Sequence, residues 1–352
     1  MHPNILSAGG WFLRSGIQEP SGGVARYYRS DLHRNQPVST EITGYTVSAL
    51  VYLHSLDPSG KWLEAAESAA RFLVCKAWNP AAAAMPFEID PPRFTYFFDC
   101  GIIVRGLLAV WQATDNTRYL ETAVALGESM ERDFLDDGGD VHPILELRSK
   151  KPIERDPLRW SRSAGCYQLK AAMAWWDLAE ATGDNTFRDP YMRVLEASLR
   201  SYETFLPGHT EPLKVMDRLH AFSYFLEGLL PRADDAECAA ALRAGIGRLS
   251  MHLRSIAPQF ERSDVYAQLL RARLHADAAG AAPLNRAAAD DEARALATFQ
   301  AQSEDARIGG GFIFGRKQGE AMPYINPVST AFALQALQEH ESGKLAPRPL
   351  LI

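Results

Sequence analysis

Four side chains in the sequence have the chemistry that general acid–base catalysis needs, and each stands near the start of an apolar stretch. They are Glu41, Asp99, His220 and Asp264. Burying such a group unpaired costs about 1–3 kcal/mol, so its position needs a reason. An apolar site raises the pKa of a carboxyl group and thereby makes it a general acid. We therefore predict that these four residues are catalytic, with Glu41 or Asp99 as the acid and Asp264 as the second carboxylate.

Two tyrosines share a helical face with two of these residues. Tyr45 follows Glu41 by four residues, and Tyr224 follows His220 by four. This spacing makes side chains neighbours on a helix. Four more polar side chains stand at the starts of apolar stretches, namely Tyr167, Gln168, Gln268 and Asn326. We predict that these six residues bind the substrate.

Helix capping is the alternative explanation for several of these positions. Asp and Asn are favoured N-cap residues, and carboxylates are favoured near helix N-termini in any case. For Asp99, Asp264 and Asn326 the sequence leaves capping and function open. For His220 the alternative is a core histidine that is hydrogen-bonded to the backbone.

The loops between the apolar stretches contribute arginines and aromatic residues. Those predicted to contact the substrate are Arg159, Trp160, Arg316 and Tyr324. Sugars stack on aromatic faces, and the guanidinium fork of arginine binds carboxylates. The combination suits a polyhydroxyl ligand with an anionic edge. The alternative for the aromatic residues is that they pack the loops onto the helices.

The spacing of apolar residues predicts pairs of helices, each an apolar helix followed by an amphipathic one. The predicted pairs are 40–56 with 61–74, 99–114 with 118–134, 166–182 with 191–205, 220–230 with 236–253, and 263–276 with 290–302. A single helix at 5–16 precedes these pairs, and a single apolar helix at 326–340 follows them.

Repetition of one helix pair is typical of stacked helical hairpins. Five complete pairs and a single helix at each end make six pairs if the two ends meet. The tetrapeptide PVST occurs at 37–40 and at 327–330, each time opening an apolar helix. We therefore predict an all-α (α/α)6 toroid in which residues 1–352 form one domain. An open superhelical array of helix pairs is the alternative.

Long loops precede several of the apolar helices, whereas the turns that follow these helices are mostly short. The long loops include 79–98, 135–164 and 305–325. Loops longer than about 12–15 residues within a compact domain are usually functional. We therefore expect the site at the end of the toroid where the inner helices begin.

Charge and hydropathy argue against two classes of partner. Among 352 residues, 37 are basic and 43 acidic, which gives a net charge of −6. This balance, without a run of Lys and Arg, argues against a nucleic-acid-binding protein. The chain has no run of about 18 uncharged apolar residues, so we expect no membrane span. We expect a cytoplasmic protein, and the sequence leaves its oligomeric state open.

The sequence predicts neither a metal site nor a cofactor. Cys75, Cys100, Cys166 and Cys238 are far apart and are predicted to be free thiols. Residues 136–140 spell D-D-x-x-D, a metal–diphosphate pattern, but two glycines place this segment in a turn. Such a turn lies away from the inner wall of the predicted toroid.

Three motifs resemble those of carbohydrate-active enzymes built as six-hairpin toroids. They are EITGY at 41–45, FDCG at 98–101 and HAFSYFLEGLL at 220–230. The chain resembles unsaturated glucuronyl hydrolases, N-acylglucosamine epimerases and the toroid domain of glucuronyl epimerases. It most resembles a bacterial group associated with polysaccharide gene clusters. The resemblance is architectural, and it implies the toroid fold and an oligo- or polysaccharide partner.

Three functions are consistent with these residues. The first is hydrolysis of an acidic, uronate-containing glycan by a carboxylate acid and base, with Arg159 on the substrate carboxylate. The second is epimerisation or elimination by proton abstraction next to a uronate carboxylate. There His220 or Tyr45 is the base, and Arg159 or Arg316 stabilises the negative charge. The third is a non-catalytic toroid that binds a glycan or a protein.

Overall fold

The chain folds into helices that alternate between two concentric rings. The computed structural model describes residues 3–58, 60–156, 159–257 and 259–352. Its α-helices, in chain order, are α1 (Pro3–Arg14), α2 (Thr40–Leu56), α3 (Trp62–Phe72), α4 (Phe97–Thr114), α5 (Thr117–Phe134), α6 (Leu169–Thr182), α7 (Arg188–Phe205), α8 (Pro212–Gly228), α9 (Ala236–Ile256), α10 (Ser263–Ala278), α11 (Arg286–Ala297) and α12 (Pro327–Ser342).

The even-numbered helices form the inner ring and the odd-numbered helices form the outer ring. Each inner helix packs against the next, from α2 to α12, and α12 packs against α2. Helix α1 packs on α12 and so supplies the outer helix of the sixth pair. The predicted (α/α)6 toroid is therefore confirmed, and the open superhelical alternative is wrong.

The two ends of the ring are also joined by hydrogen bonds. The indole Nε1 of Trp11 donates to the carbonyl of Arg307 at 2.9 Å, and the amide of Gln300 donates to the carbonyl of Asn4 at 2.8 Å. Both copies of PVST open inner helices, since α2 begins at Thr40 and α12 at Pro327. Contacts between residues almost 300 positions apart in sequence thus close the ring.

Short strands hold the long loops at the end of the toroid where the inner helices begin. They are β1 (Val24–Ala25), β2 (Tyr28–Arg29), β3 (Arg34–Asn35), β4 (Val38–Ser39), β5 (Phe94–Tyr96), β6 (Ile144–Glu146), β7 (Phe260–Arg262), β8 (Gly315–Lys317), β9 (Glu320–Ala321) and β10 (Tyr324–Ile325). They pair antiparallel as β1–β4, β10–β2–β3, β5–β6 and β7–β8–β9. Pairing of β10 with β2 brings the loop before α12 beside the segment between α1 and α2.

Residues 343–352 cover the opposite end of the ring. Arg348 in this segment forms ion pairs with Asp177 and Glu180 of α6. The Nζ of Lys170 donates to the carbonyl oxygen of Ile352 at 3.0 Å, and both residues are buried. The toroid is therefore closed at this end and open at the end that carries the long loops.

Helix α8 begins earlier than the apolar pattern predicts. The pattern starts at His220, but the helix starts at Pro212, where proline fits the first helical position because it lacks an N–H. Val215, Met216 and Leu219 bury the added turns against the core. His220 therefore lies within the helix instead of in its first turn.

Two sequence-based expectations can be examined directly in the fold. All four cysteines are free, as predicted, and only Cys75 is exposed. Helix α4 is long and apolar enough to span a membrane by length and composition, but 72% of it is buried in the structure. It is packed between α2 and α6 as a core helix.

Glycines of the recurring motifs allow the inner helices to approach closely. A Cβ added to Gly101 would lie 2.4 Å from the carbonyl oxygen of Ala171. One added to Gly228 would lie 2.7 Å from the carbonyl carbon of Leu169. One added to Gly44 would lie 3.1 Å from a backbone atom of α4. These contacts are with helix backbone, so the glycines set the spacing of the inner ring.

We predict that Gly101→Ala destabilises the protein. Alanine favours a helix by about 1 kcal/mol over glycine, but the clash with the α6 backbone should outweigh this gain and lower the free energy of unfolding by about 1–3 kcal/mol. Gly247→Ala in α9 is the matched control, because no atom lies within 4 Å of the added Cβ. It should stabilise by about 0.5–1 kcal/mol. Urea denaturation measures both, and equal stability of the two variants would contradict the close packing.

Candidate active site at the centre of the inner ring

A pocket of about 410 Å³ opens where the inner helices begin, and we call it the axial pocket. Its lining residues come from α2, α4, α8 and the loops before α4, α6 and α10. They are Glu41, Phe87, Tyr96, Phe98, Asp99, Pro143, Trp160, Ser161, Tyr167, Gln168, His220, Tyr224 and Arg262. The pocket thus lies at the end of the toroid where the loop lengths place the expected site.

The structure brings seven of the predicted site residues together in this pocket. They are Glu41, Asp99, His220, Trp160, Tyr167, Gln168 and Tyr224. Two others, Tyr45 and Gln268, lie buried behind the lining. The remaining predicted residues are Asp264, Arg159, Arg316, Tyr324 and Asn326, and they do not line the pocket.

Two carboxyl groups, those of Glu41 and Asp99, line the axial pocket and lie close enough to interact electrostatically. Ser39 caps α2 by accepting from the amide of Ile42, which places Glu41 in the first turn. Asp99 lies in the first turn of α4, whose N-terminus has no side-chain cap. The Oδ2 atom of Asp99 is buried and has no hydrogen-bond partner in the described part of the chain. Asp99 is therefore not a helix cap, and its carboxyl is available to a ligand.

The pKa values of both carboxyl groups lie above their usual values. Burial raises the pKa of Glu41 to about 7, although Arg26 opposes the shift. Burial and the charge of Glu41 raise the pKa of Asp99 well above its usual value. Because each charge disfavours the other, the pair retains a proton near neutral pH.

His220 presents an unprotonated nitrogen to the pocket. Burial lowers its pKa to about 4, although Asp264 opposes the shift, so the ring is neutral at pH 7. Its Nδ1 lies 2.8 Å from Oε1 of Gln268, which can only accept. We infer that Nδ1 carries the proton and that Nε2 has the lone pair. No hydrogen bond within the described residues uses Nε2.

The orientation of Gln268 is set by a buried carboxylate. Its amide nitrogen lies 3.5 Å from Oε2 of Glu227, and a carboxylate there turns the amide oxygen toward His220. Burial alone would raise the pKa of Glu227, but Arg271 and Lys170 lower it below its usual value. Glu227 is therefore ionised and fixes the tautomer of the histidine through Gln268.

Asp264 is an ion-pair partner in this structure. Arg262 donates Nε and Nη2 to the two oxygens of Asp264 at 3.0 and 2.6 Å. Burial alone would raise the pKa of Asp264, but Arg262 and His220 lower it. The carboxylate stays ionised and bound to Arg262, and its Oδ2 lies 3.5 Å from the Nδ1 of His220, outside the lining of the axial pocket.

Aromatic rings form the wall between the carboxyl pair and His220. The ring of Tyr224 lies 4.5 Å from that of Phe98 and 4.6 Å from that of His220, measured between centroids. Tyr45 lies beneath, fully buried against Phe332 at 5.3 Å. Burial raises the pKa of both tyrosines well above the usual value, so their hydroxyls are neutral. The hydroxyl of Tyr45 is buried without a hydrogen-bond partner among the described residues.

Four predicted binding residues lie elsewhere. Arg159 is 69% exposed and pairs with Asp156 at 3.5 Å. Arg316 donates to the hydroxyl and carbonyl of Thr298 at 2.9 and 2.5 Å. Long loops carry both arginines, and their own contacts hold them outside the axial pocket.

Tyr324 and Asn326 have local roles. Tyr324 lies in β10 with its ring 5.1 Å from that of Tyr27. The side chain of Asn326 accepts from the amides of Val328 and Ser329 and caps α12. For Asn326 the structure therefore matches the capping alternative.

Several pocket residues carried no clear signal in the sequence. Phe87 and Pro143 lie in long loops whose course the periodicity does not predict. Phe98 precedes Asp99 in the FDCG motif, and Arg262 precedes Asp264 by two residues. An arginine two residues before a carboxylate at a strand end was the available clue to the ion pair.

The chain has the fold of several solved sugar-active proteins at low sequence identity. A sugar epimerase from a ruminal bacterium has a TM-score of 0.72 and 10% identity, with 97% of this chain and 100% of that chain covered. Cellobiose 2-epimerase from Spirochaeta thermophila DSM 6192 has a TM-score of 0.72 and 13% identity, with 94% and 93% covered. An α-1,6-mannanase from Salegentibacter sp. HEL1_6 has a TM-score of 0.59 and 10% identity, with 96% and 99% covered. No family model and no curated protein sequence matches the chain.

We predict that Glu41→Gln stabilises the protein at high pH. A carboxyl with a raised pKa in the folded state binds more protons there than in the unfolded state. Stability therefore falls as pH rises from about 4.5 to about 7. The variant lacks this loss, so its free energy of unfolding should exceed that of the wild type by about 1–3 kcal/mol at pH 8, with a smaller gain near pH 4.

Urea denaturation at several pH values measures this difference. Glu196→Gln, on the exposed face of α7, is the control and should follow the wild type at every pH. A Glu41→Gln variant that is less stable than the wild type at pH 8 would contradict the protonated state inferred for the pair.

Proposed function

We propose that the protein is a carbohydrate-active enzyme that binds a sugar residue in the axial pocket and hydrolyses its glycosidic bond. The observation that carries this proposal is the pair of carboxyl groups, Glu41 and Asp99, with raised pKa values in one aromatic-lined pocket. The fold is shared with epimerases and a mannanase whose names place carbohydrates among the substrates of such toroids.

A carboxyl pair in which one member is protonated and the other ionised supplies both roles that hydrolysis needs. The protonated member donates to the leaving glycosidic oxygen, and the ionised member activates water or attacks the anomeric carbon. The aromatic lining keeps the pair poorly solvated, which maintains the proton near neutral pH. Trp160, Phe98 and Tyr167 offer ring faces and edges on which a sugar can stack.

The axial pocket favours an uncharged sugar residue at the reacting position. Two carboxyl groups line it, and its arginine, Arg262, is already bound by Asp264 and by Asp217 at 2.8 Å. Among the described residues lining the pocket, no other arginine or lysine is present to bind a substrate carboxylate. We therefore propose that any acidic group of the glycan lies outside this pocket.

We predict that Glu41→Gln and Asp99→Asn each lower kcat by about 10²–10⁴-fold, because each removes a proton donor or acceptor at the reacting bond. A panel of neutral and uronate-containing oligosaccharides, scored by released reducing ends, identifies the substrate and measures the loss. Glu196→Gln is the matched control and should keep wild-type turnover. Full turnover by either pocket variant would rule out its assignment.

Epimerisation is the second candidate, and the state of His220 favours it. His220 lines the pocket, its Nδ1 is held by Gln268, and its Nε2 is unprotonated and unused by other hydrogen bonds of the described residues, which suits a base that abstracts a proton from carbon. In that reaction the protonated member of the carboxyl pair donates a hydrogen bond to the carbonyl oxygen where negative charge develops.

Reaction in D₂O separates the two candidates. Hydrolysis leaves every C–H bond of the recovered sugar unlabelled, whereas proton abstraction introduces deuterium at the reacting carbon. If deuterium enters, His220→Asn should abolish exchange, and Gln268→Leu should slow it by about tenfold or more because the Nδ1–H loses its acceptor. Mass spectrometry of the recovered sugar gives the answer, and product without label excludes the epimerase candidate.

A further inference from the structure

A second cavity of about 230 Å³ lies beside the axial pocket, and we call it the basic cavity. Trp160 and Ser161 line both cavities, so the indole stands between them. The basic cavity is lined by the cations Arg159, Lys214 and Arg218. A ligand longer than one sugar residue can therefore contact both cavities past Trp160.

Arg218 is a partly buried cation without an acidic partner among the described residues. Its Nε and Nη2 donate to the carbonyl of Phe205 at 2.9 and 2.7 Å, and its guanidinium lies 4.2 Å from the centre of the Phe205 ring. The side chain is half-buried, and this burial lowers the pKa of the guanidinium. A buried charge is costly unless an opposite charge compensates it, so this site favours an anion.

The side chains that line the basic cavity include three cations and one carboxylate. Lys214 pairs with Glu211 at 3.1 Å, and both side chains are more than half exposed. Such exposed pairs contribute about 0–1 kcal/mol and exchange easily for a ligand. The lining also contains one carboxylate, Asp217, which lies 2.8 Å from Arg262 and shares that cation with Asp264. The basic cavity thus contrasts with the axial pocket, where carboxyl groups prevail.

We propose that the basic cavity binds the acidic group of the sugar residue next to the one that reacts in the axial pocket. This inference rests on the proposed function and adds the substrate class, an oligosaccharide with an uncharged reacting residue and an acidic neighbour. Trp160 stacks against the chain where it passes between the cavities. Arg218 and Lys214 bind the anion, since guanidinium and ammonium groups form charge-assisted hydrogen bonds with carboxylates and phosphates.

A matched pair of disaccharides tests the charge preference directly. Cellobiose and cellobiouronic acid differ in one position, where a hydroxymethyl group is replaced by a carboxylate. Isothermal titration should show that cellobiouronic acid binds the wild type about tenfold more tightly. This advantage should shrink between about 20 and about 300 mM NaCl, because salt screens the exposed charges.

Variants of the basic cavity should remove the preference. The double variant Arg159→Gln/Lys214→Gln changes exposed side chains and should retain its fold; it is expected to reduce the advantage to less than about threefold. Arg218→Gln should do the same, with its melting temperature measured in parallel. Arg118→Gln, an exposed arginine of α5, is the control and should keep the full preference. Equal binding of the two disaccharides by the wild type, or a preference that survives the double variant, would overturn the inference.

Two further measurements separate this inference from the proposed function. Glu41→Gln should retain the preference for the acidic disaccharide even when turnover is lost. The second measurement is tryptophan fluorescence during separate additions of glucuronate, glucose 6-phosphate and glucose. The variant Trp160→Phe is the blank, because Trp160 lines the basic cavity. A fluorescence change with either acidic sugar but not with glucose supports anion binding in the basic cavity, even if no oligosaccharide is turned over. The acidic sugar that gives the larger change identifies the preferred anion as carboxylate or phosphate. No response to either acidic sugar overturns the inference.

Discussion

The buried ion pairs of the Glu227 carboxylate connect the axial pocket to the closed end of the toroid. The carboxylate is fully buried on α8 and is paired with Lys170 of α6 at 3.0 Å and with Arg271 of α10. A buried charge survives only when its partners compensate it, so the three inner helices are held in one arrangement. On one side, Arg271 donates a hydrogen bond to the side-chain oxygen of Gln335, and the side-chain nitrogen of Gln335 donates to the carbonyl of Leu350 in the segment that covers the closed end of the ring. On the other side, the amide of Gln268 lies between Glu227 and His220, which lines the pocket.

This arrangement explains how an apolar ring supports a polar site. The inner helices are buried on both faces, so each polar group among them needs a partner, and chains of hydrogen bonds supply one. Asp99 is one of several exceptions, because its Oδ2 is buried without a partner among the described residues. The same holds for the hydroxyl of Tyr45 and the Oε1 of Gln168 near the pocket, and for the Nε of Arg271 and the hydroxyl of Ser329 elsewhere in the inner ring. Unsatisfied polar atoms are uncommon in protein cores, and a ligand-binding site is one place where they occur. The unpartnered oxygen of Asp99 and the raised pKa values therefore mark the same place in the molecule.

The sequence predicts the parts of this structure that depend on local periodicity. The helix pairs follow from apolar spacing, and Glu41 and Asp99 follow from their places in first turns of inner helices. Asp264 is also in a first turn, but its role depends on Arg262, which the turn from β7 into α10 brings alongside. The long loop that carries Arg159 has no periodicity, so its distance from the pocket is set by tertiary contacts alone.

Closure of the ring by contacts between its two ends has a consequence for how the protein folds. Each helical hairpin is local in sequence and can form early, whereas the contact of α12 with α2 joins distant segments and forms slowly. The pocket takes residues from α2, α4 and α8 and from the loops before α4, α6 and α10, so it forms only when segments far apart in the chain have packed together. The helices therefore form before the pocket can bind a ligand. An opened ring would keep its helical content and lose its pocket.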